Sequence, residues 1–259
     1  MKIKILLTAI LLTGFLANAQ KKQRKLRAPI WITHSKNTDV VGVSFGILPK
    51  SLFNDSTLTR TFGMRVEPSI LGAFSWMIDK SPVATNEDSF KMIMSEAPTE
   101  IIYGGNLSTG IFGEAHVHGF SAGIFMQQLY RMNGIAVTGM MNLVQSGNGV
   151  FIGGFGNELY KGNGIAAGFG NLGYRYNGIQ VGILNTIKET GHGLQLGLEN
   201  DSQKFNGVQF GFMNIVDESM IGLQIGLWNN ANSLRGIQLG LWNKNGKRSL
   251  PFINWQFKG

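Results

Sequence analysis

Glu114, His116 and His118 stand at every second position of the stretch Glu114-Ala115-His116-Val117-His118. In a strand, side chains two apart share a face, and a carboxylate with two imidazoles is a workable zinc set. No fourth ligand or general base is evident nearby in sequence. The plainer reading is two surface imidazoles on a strand, so the set is held only as a weak metal candidate. Gly168-Phe169-Gly170-Asn171-Leu172-Gly173 matches the dinucleotide-binding glycine pattern. That pattern needs a helix to follow and receive the phosphate. Another strand-like phrase follows instead, which makes the match a by-product of repeated glycines. The sequence holds no phosphate-binding lysine loop, no nucleophile elbow and no convincing acid pair, and cysteine is absent. We expect no enzyme and no cofactor.

The elements that must position any site come from a repeat. One phrase is written five times between Gly178 and Asn243: GIQVGILN, GLQLGLEN, GVQFGFMN, GLQIGLWN and GIQLGLWN. The opening glycines are spaced 15, 14, 15 and 14 residues apart. Within a phrase, large apolar residues alternate with glycine and glutamine, which is the period of a β-strand. Looser copies extend back to Val41, and the regular spacing is taken to start at Gly105. The six or seven mostly polar residues between phrases, such as Asp201 to Asn206, read as turns.

A short directional phrase at a fixed period implies a repeat architecture. The favoured reading is an all-β solenoid of 14–15-residue units with end caps. Stacking the copies aligns Gln180, Gln195, Gln209, Gln224 and Gln238 in one amide column and Asn185 to Asn243 in another. Ile179, Leu194, Val208, Leu223 and Ile237 are placed inside. Trp228 and Trp242 then share the glutamine face, and this face is a candidate contact surface for a partner. The alternative reading packs both tryptophans on the return segment or the C-terminal cap.

The alternative fold is an up-and-down outer-membrane β-barrel. Each phrase covers only about 12 Å of membrane when tilted, against an apolar band of about 25 Å in such barrels. The 14/15 alternation and a possible tight turn at Asn245-Gly246 speak for the barrel.

Residues 1–19 have a basic start, an apolar run from Ile5 to Leu16 and a small-x-small ending, which is the form of an export signal. The net charge of +8 concentrates in that segment and in a basic tail over 20–28. From Ala28 onward sixteen basic residues meet fifteen acidic ones, so no nucleic-acid partner is expected. The remaining divisions are an irregular N-terminal β region and cap over 29–104, regular repeats over 105–249 and a capping strand over 250–259. Between Pro82 and Pro98, Thr85 or Asn86 could cap a short helix through Met94, and a surface loop fits equally.

The tandem GLQ-x-G-L-x-N phrases, the ending Leu250-Pro251-Phe252 and the leader ending Ala17-Asn18-Ala19-Gln20 resemble a family of exported bacterial surface-repeat proteins found in Bacteroidetes and spirochaetes. The resemblance implies an envelope or surface location in a Gram-negative cell, outer membrane or periplasm, and no enzymatic role. It carries over no functional residues. The expected function is structural or adhesive, with envelope components or further copies of the chain as partners. The alternatives are a small membrane barrel and, more distantly, a secreted metal- or sugar-binding protein.

Overall fold

The structure is a computed structural model that describes residues 24–48, 57–69, 74, 81–110, 113 and 115–257. The export signal and Glu114 lie outside the described residues. The strands are β1 (Lys25–Arg27), β2 (Ile30–Ile32), β3 (Thr38–Phe45), β4 (Thr59–Glu67), β5 (Glu100–Ser108), β6 (Ala115–Gly123), β7 (Gln127–Thr138), β8 (Met141–Val181), β9 (Leu184–Leu196), β10 (Glu199–Phe210), β11 (Met213–Ile225), β12 (Trp228–Asn245) and β13 (Ser249–Gln256). From β3 to β12 every strand pairs in parallel with the next in sequence, as coils stacked in a β-solenoid of about 13 turns do. An up-and-down barrel needs antiparallel neighbours, so that alternative is excluded.

The coils are locked by a column of glycines. Gly42, Gly63, Gly104 and Gly119 are direct partners across neighbouring strands, and the column runs on to Gly236. The expected head at Gly105 is therefore one residue late. At Gly207, φ is +145° and a Cβ would lie 2.0 Å from the carbonyl oxygen of Gly193. No side chain fits where the backbone of one coil crosses so close to the next.

The interior reverses the expected orientation. Gln180, Gln195, Gln209, Gln224 and Gln238 are at most 1% exposed, whereas Ile179, Leu194, Val208, Leu223 and Ile237 point outward and are half-buried. A period of two identifies two faces without saying which is inside. The deciding residues lie in the segments expected to be turns. β10 runs unbroken through Asp201 to Asn206 and buries Phe205, with Met220 and Leu234 at the equivalent places in the next two coils. These segments are second strand faces whose apolar residues meet the glutamine side across the coil.

Buried amides are tolerated because each finds partners at strand spacing. Asn157 donates to Asn171, Asn171 to Asn185, Asn185 to Asn200, Asn200 to Asn214, Asn214 to Asn229 and Asn229 to Asn243, at 2.7–2.9 Å. The second amide hydrogen of Asn200 goes to the Phe210 carbonyl at 3.0 Å, and that of Asn214 to the Ile225 carbonyl at 3.0 Å. Upstream the chain of bonds continues through Asn142, Gln127, Ser121 and Asn106 to the buried guanidinium of Arg65, which also pairs with Glu67 and Glu100. Burial raises the Glu67 carboxyl above its ordinary range, against the pull of Arg65.

The 14/15 alternation has a local cause. Lys188-Glu189 in one coil and Asp217-Glu218 two coils on each oppose the single residue Gln203. The extra residue is a corner bulge, so the alternation marks no hairpin.

The two ends differ. β13 turns back through Asn245–Arg248 and pairs antiparallel with β12, as the proposed cap required. At the other end β1 lies on β3, so part of the expected tail is strand; Arg24 and Arg60 both bridge Asp39 at 2.5 Å. The segment between β4 and β5 carries a helix, α1 (Glu87–Ser95), capped by Asn86 through a reciprocal bond pair with Ser89. Phe90 stacks on Tyr160 at 4.6 Å, and Glu87 binds Arg175 at 2.5 Å, so the helix covers part of the coil stack.

Gly207→Ala should destabilise the fold by at least about 3 kcal/mol in chemical unfolding, while Gly170→Ala should change it by less than about 0.5 kcal/mol. At Gly170 the nearest atom to an added Cβ is 3.8 Å away. Asn214→Ala orphans buried amide and carbonyl groups and should cost about 3–5 kcal/mol, against near neutrality for the outward Asn206→Ala. Equal losses for the two asparagines would refute the ladder's contribution.

Candidate functional site, an uncovered apolar face

The first and third residues after each column glycine point outward and build two parallel rows along the solenoid. The first row runs from Val43 and Met64 to Leu223 and Ile237, the second from Phe45 and Val66 to Ile225 and Leu239. Across twelve coils these twenty-four positions carry only apolar residues and one glycine. In the C-terminal coils a third row at the turn, through Ile183, Leu198, Phe212, Leu227 and Leu241, widens the face, with Leu198, Phe212 and Leu241 56–60% exposed. Phe210, Ile225, Leu227, Leu239, Leu241 and Phe252 of the cap line a groove of about 460 Å³ here.

The face has a definite rim. The residue before each column glycine is Phe62, Tyr103, His118, Asn133, Asn148, Asn163, Asn177, His192 and Asn206 over nine successive coils. Phe62, Tyr103 and His118 stack with ring centroids 5.1 Å apart, and Asn133, Asn148 and Asn163 form a short outer amide ladder. The rim is polar or aromatic and uncharged over these coils. Charge gathers elsewhere, as in the Lys204–Glu218 pair at 3.0 Å.

The glutamines named as contact residues are buried, which removes Gln180, Gln195, Gln209, Gln224 and Gln238 from any surface role. Trp228 and Trp242 are exposed, 47% and 41%, but on the outside, away from the glutamines. The turn at Gly226-Leu227 interrupts the alternation, so that Trp228 faces out while Asn229 faces in. Simple counting by twos across that turn assigns the wrong side.

His116 and His118 do share one outer face, alternating with buried Ala115 and Val117. His118 Nδ1 lies 3.1 Å from the Asn133 amide nitrogen, within the rim. Among the described residues no group of three potential metal ligands is assembled. Burial, then repulsion from Arg131 and His118, lowers His116 to about 4.

The outward apolar rows were missed because they were assigned to the interior. Their signal is the large apolar residue two places before many column glycines, Tyr176, Phe205, Met220 and Leu234, which marks the inward phase of the opposite strand. Fold and surface define a β-solenoid with an amide-laddered interior and one uncharged apolar side. No protein-family model matches the chain, and no curated protein or solved structure matches it either.

His116 yields a pH prediction. Its folded pKa lies below the unfolded value of 6.5, so the unfolded chain binds more protons between about pH 6.5 and 4, and stability falls as pH drops through that window. His116→Gln should flatten the melting temperature between pH 6.5 and 4.5 relative to the parent chain. An unchanged slope would place the acid sensitivity elsewhere.

Proposed function

We propose that the protein is an exported, non-catalytic component of the bacterial cell envelope that acts as a structural or adhesive scaffold through its apolar face. The observation that carries this reading is the outward double row of twenty-four positions without a charge. Isolated exposed apolar residues are ordinary, but a contiguous strip rimmed by polar groups marks a contact surface. The repeat supplies that strip at uniform spacing, which suits an extended contact more than a pocket for one small molecule. The leader-like start and the resemblance to exported repeat proteins support the envelope location.

Fractionation of cells producing the full chain tests the reading. The protein should sediment with the envelope, and Phe210→Lys combined with Leu196→Lys should release it to soluble fractions while its far-UV circular dichroism stays unchanged. Recovery of the parent chain in the cytosol, or a variant retained like the parent, would sink the proposal.

A further inference from the structure

We infer that the apolar face is covered by the same face of a second copy, two solenoids lying face to face and antiparallel about a two-fold axis. This rests on the reading of that face as the contact surface.

Area makes a dimer possible. Twelve coils at strand spacing give a strip about 53 Å long and about 7 Å between row centres, widened to about 13 Å over the five C-terminal coils that carry the turn row. The area between row centres is about 500 Å² per copy, and roughly 3 Å of side-chain overhang along each edge brings it toward the roughly 800 Å² per partner of a stable interface. The area between row centres stands in the upper part of the about 300–600 Å² range of the largest apolar patch on a typical monomer, a patch that is often functional.

The chemistry selects protein over lipid. Peripheral membrane faces are flanked by lysine and arginine that meet anionic headgroups. Here the flanking row from His118 to Asn206 is amides and imidazoles. An apolar centre inside a hydrogen-bonding rim is the anatomy of a protein interface, and no charge stands in the two apolar rows or in that stretch of rim, the row's one charge being Arg235 in the last coil. Flat strand faces pack about 10 Å apart with their side chains interleaved.

Shape selects the antiparallel arrangement. With full overlap, the two-fold axis passes between the coils headed by Gly149 and Gly164. The coil carrying Gly105 then meets that carrying Phe210, Ala122 faces the coil of Leu196, and Ala167 faces that of Ile152. A parallel arrangement would put Phe210 on Phe210 and leave Gly105 against Gly105. Growth from the C-terminal edge is obstructed, because β13 runs antiparallel there and contains Pro251.

Sedimentation equilibrium of the purified full chain, with short bis-maleimide cross-linking, tests the pairing. The protein has no cysteine, so single introduced thiols report alone. A dimer is expected at micromolar concentration. Phe210→Glu with Leu196→Glu should weaken it at least a hundredfold with circular dichroism unchanged, and Lys204→Glu, beyond the rim, should not. Ala167→Cys, near the axis, should cross-link to itself, whereas Leu239→Cys, far from the axis, should not. Cross-linking of both would overturn the antiparallel geometry. A monomer that binds phosphatidylglycerol vesicles through Phe210 and Leu196 would overturn the dimer while leaving the contact-surface reading standing. A monomer that binds neither vesicles nor the envelope fraction would overturn both.

Discussion

The glycine column is the constraint on which the rest of this structure depends. Where the backbones of successive coils cross at the column, the carbonyl oxygen of one coil occupies the place of the next residue's Cβ: 2.2 Å at Gly63 and 1.9 Å at Gly236. Only glycine satisfies that approach and the positive φ together. Once the crossing is fixed, the register of every residue downstream in the coil is fixed with it. Gln195 must lie over Gln180 and under Gln209, and Asn200 between Asn185 and Asn214. The corner bulges absorb differences in coil length on the far side, so a 14- and a 15-residue coil present the same residues to the interior. Variation is confined to where register does not matter.

The two amide ladders that this register creates have opposite polarity. Asparagine side chains donate toward the C-terminal end, as Asn185 does to Asn200, while glutamines donate toward the N-terminal end, as Gln195 does to Gln180. The dipoles of neighbouring columns therefore oppose one another through the core. Each ladder needs a terminus. The asparagine ladder ends on Arg65, a cation that supplies the final donor and is itself held by two glutamates. The glutamine ladder ends at Gln180, because Ala166 holds the equivalent place in the preceding coil, and Gln180 Nε2 has no partner. At the other end Asn254 of the reversed cap strand donates to Gln238 Oε1 at 3.0 Å, so the cap closes the hydrogen-bond column as well as the sheet.

The period, the stacking of the copies, the amide columns and the C-terminal cap were legible because each depends on residue type at fixed spacing. Phase was not. GLQLGLEN reads the same whether Leu194 or Gln195 faces inward, and hydrophobicity argues for the leucine. What reverses this is the ladder: a glutamine with an identical neighbour above and below recovers its hydrogen bonds, so burying it no longer costs what burying an isolated amide does. A single phrase cannot show that neighbour, and only the stacked repeat supplies it. The tryptophans were misplaced for a smaller reason of the same kind, since the turn at Gly226-Leu227 breaks the alternation between Gln224 and Trp228. In the acidic insert, Asn86 and Ser89 form a capping box and Phe90 finds Tyr160, seventy residues away in sequence. That distant ring, invisible from the local composition, is the partner that turns a helix-or-loop ambiguity into a docked helix.

An interior filled with amides changes what the outer leucines and phenylalanines do. A coil such as Gly193–Asn206 buries one large apolar side chain, Phe205, beside Gln195, Asn200 and Ser202. Its cohesion comes from hydrogen bonds to the coils on either side, so stability accumulates by nearest neighbours as in other solenoids. The outer rows touch one another along each column, which leaves Leu196 and Ile225 half-buried, but their tips contribute little to holding the monomer together. Those tips are therefore free to be selected for contact. Where an ordinary domain must spend its apolar residues on a core, this chain shares its core between apolar side chains and laddered asparagine and glutamine, and keeps an apolar surface in reserve. Substitutions at the column glycines or the inner amides should consequently act on folding, and substitutions at Phe210 or Leu239 on assembly, because the two sets of residues occupy opposite sides of the same strands.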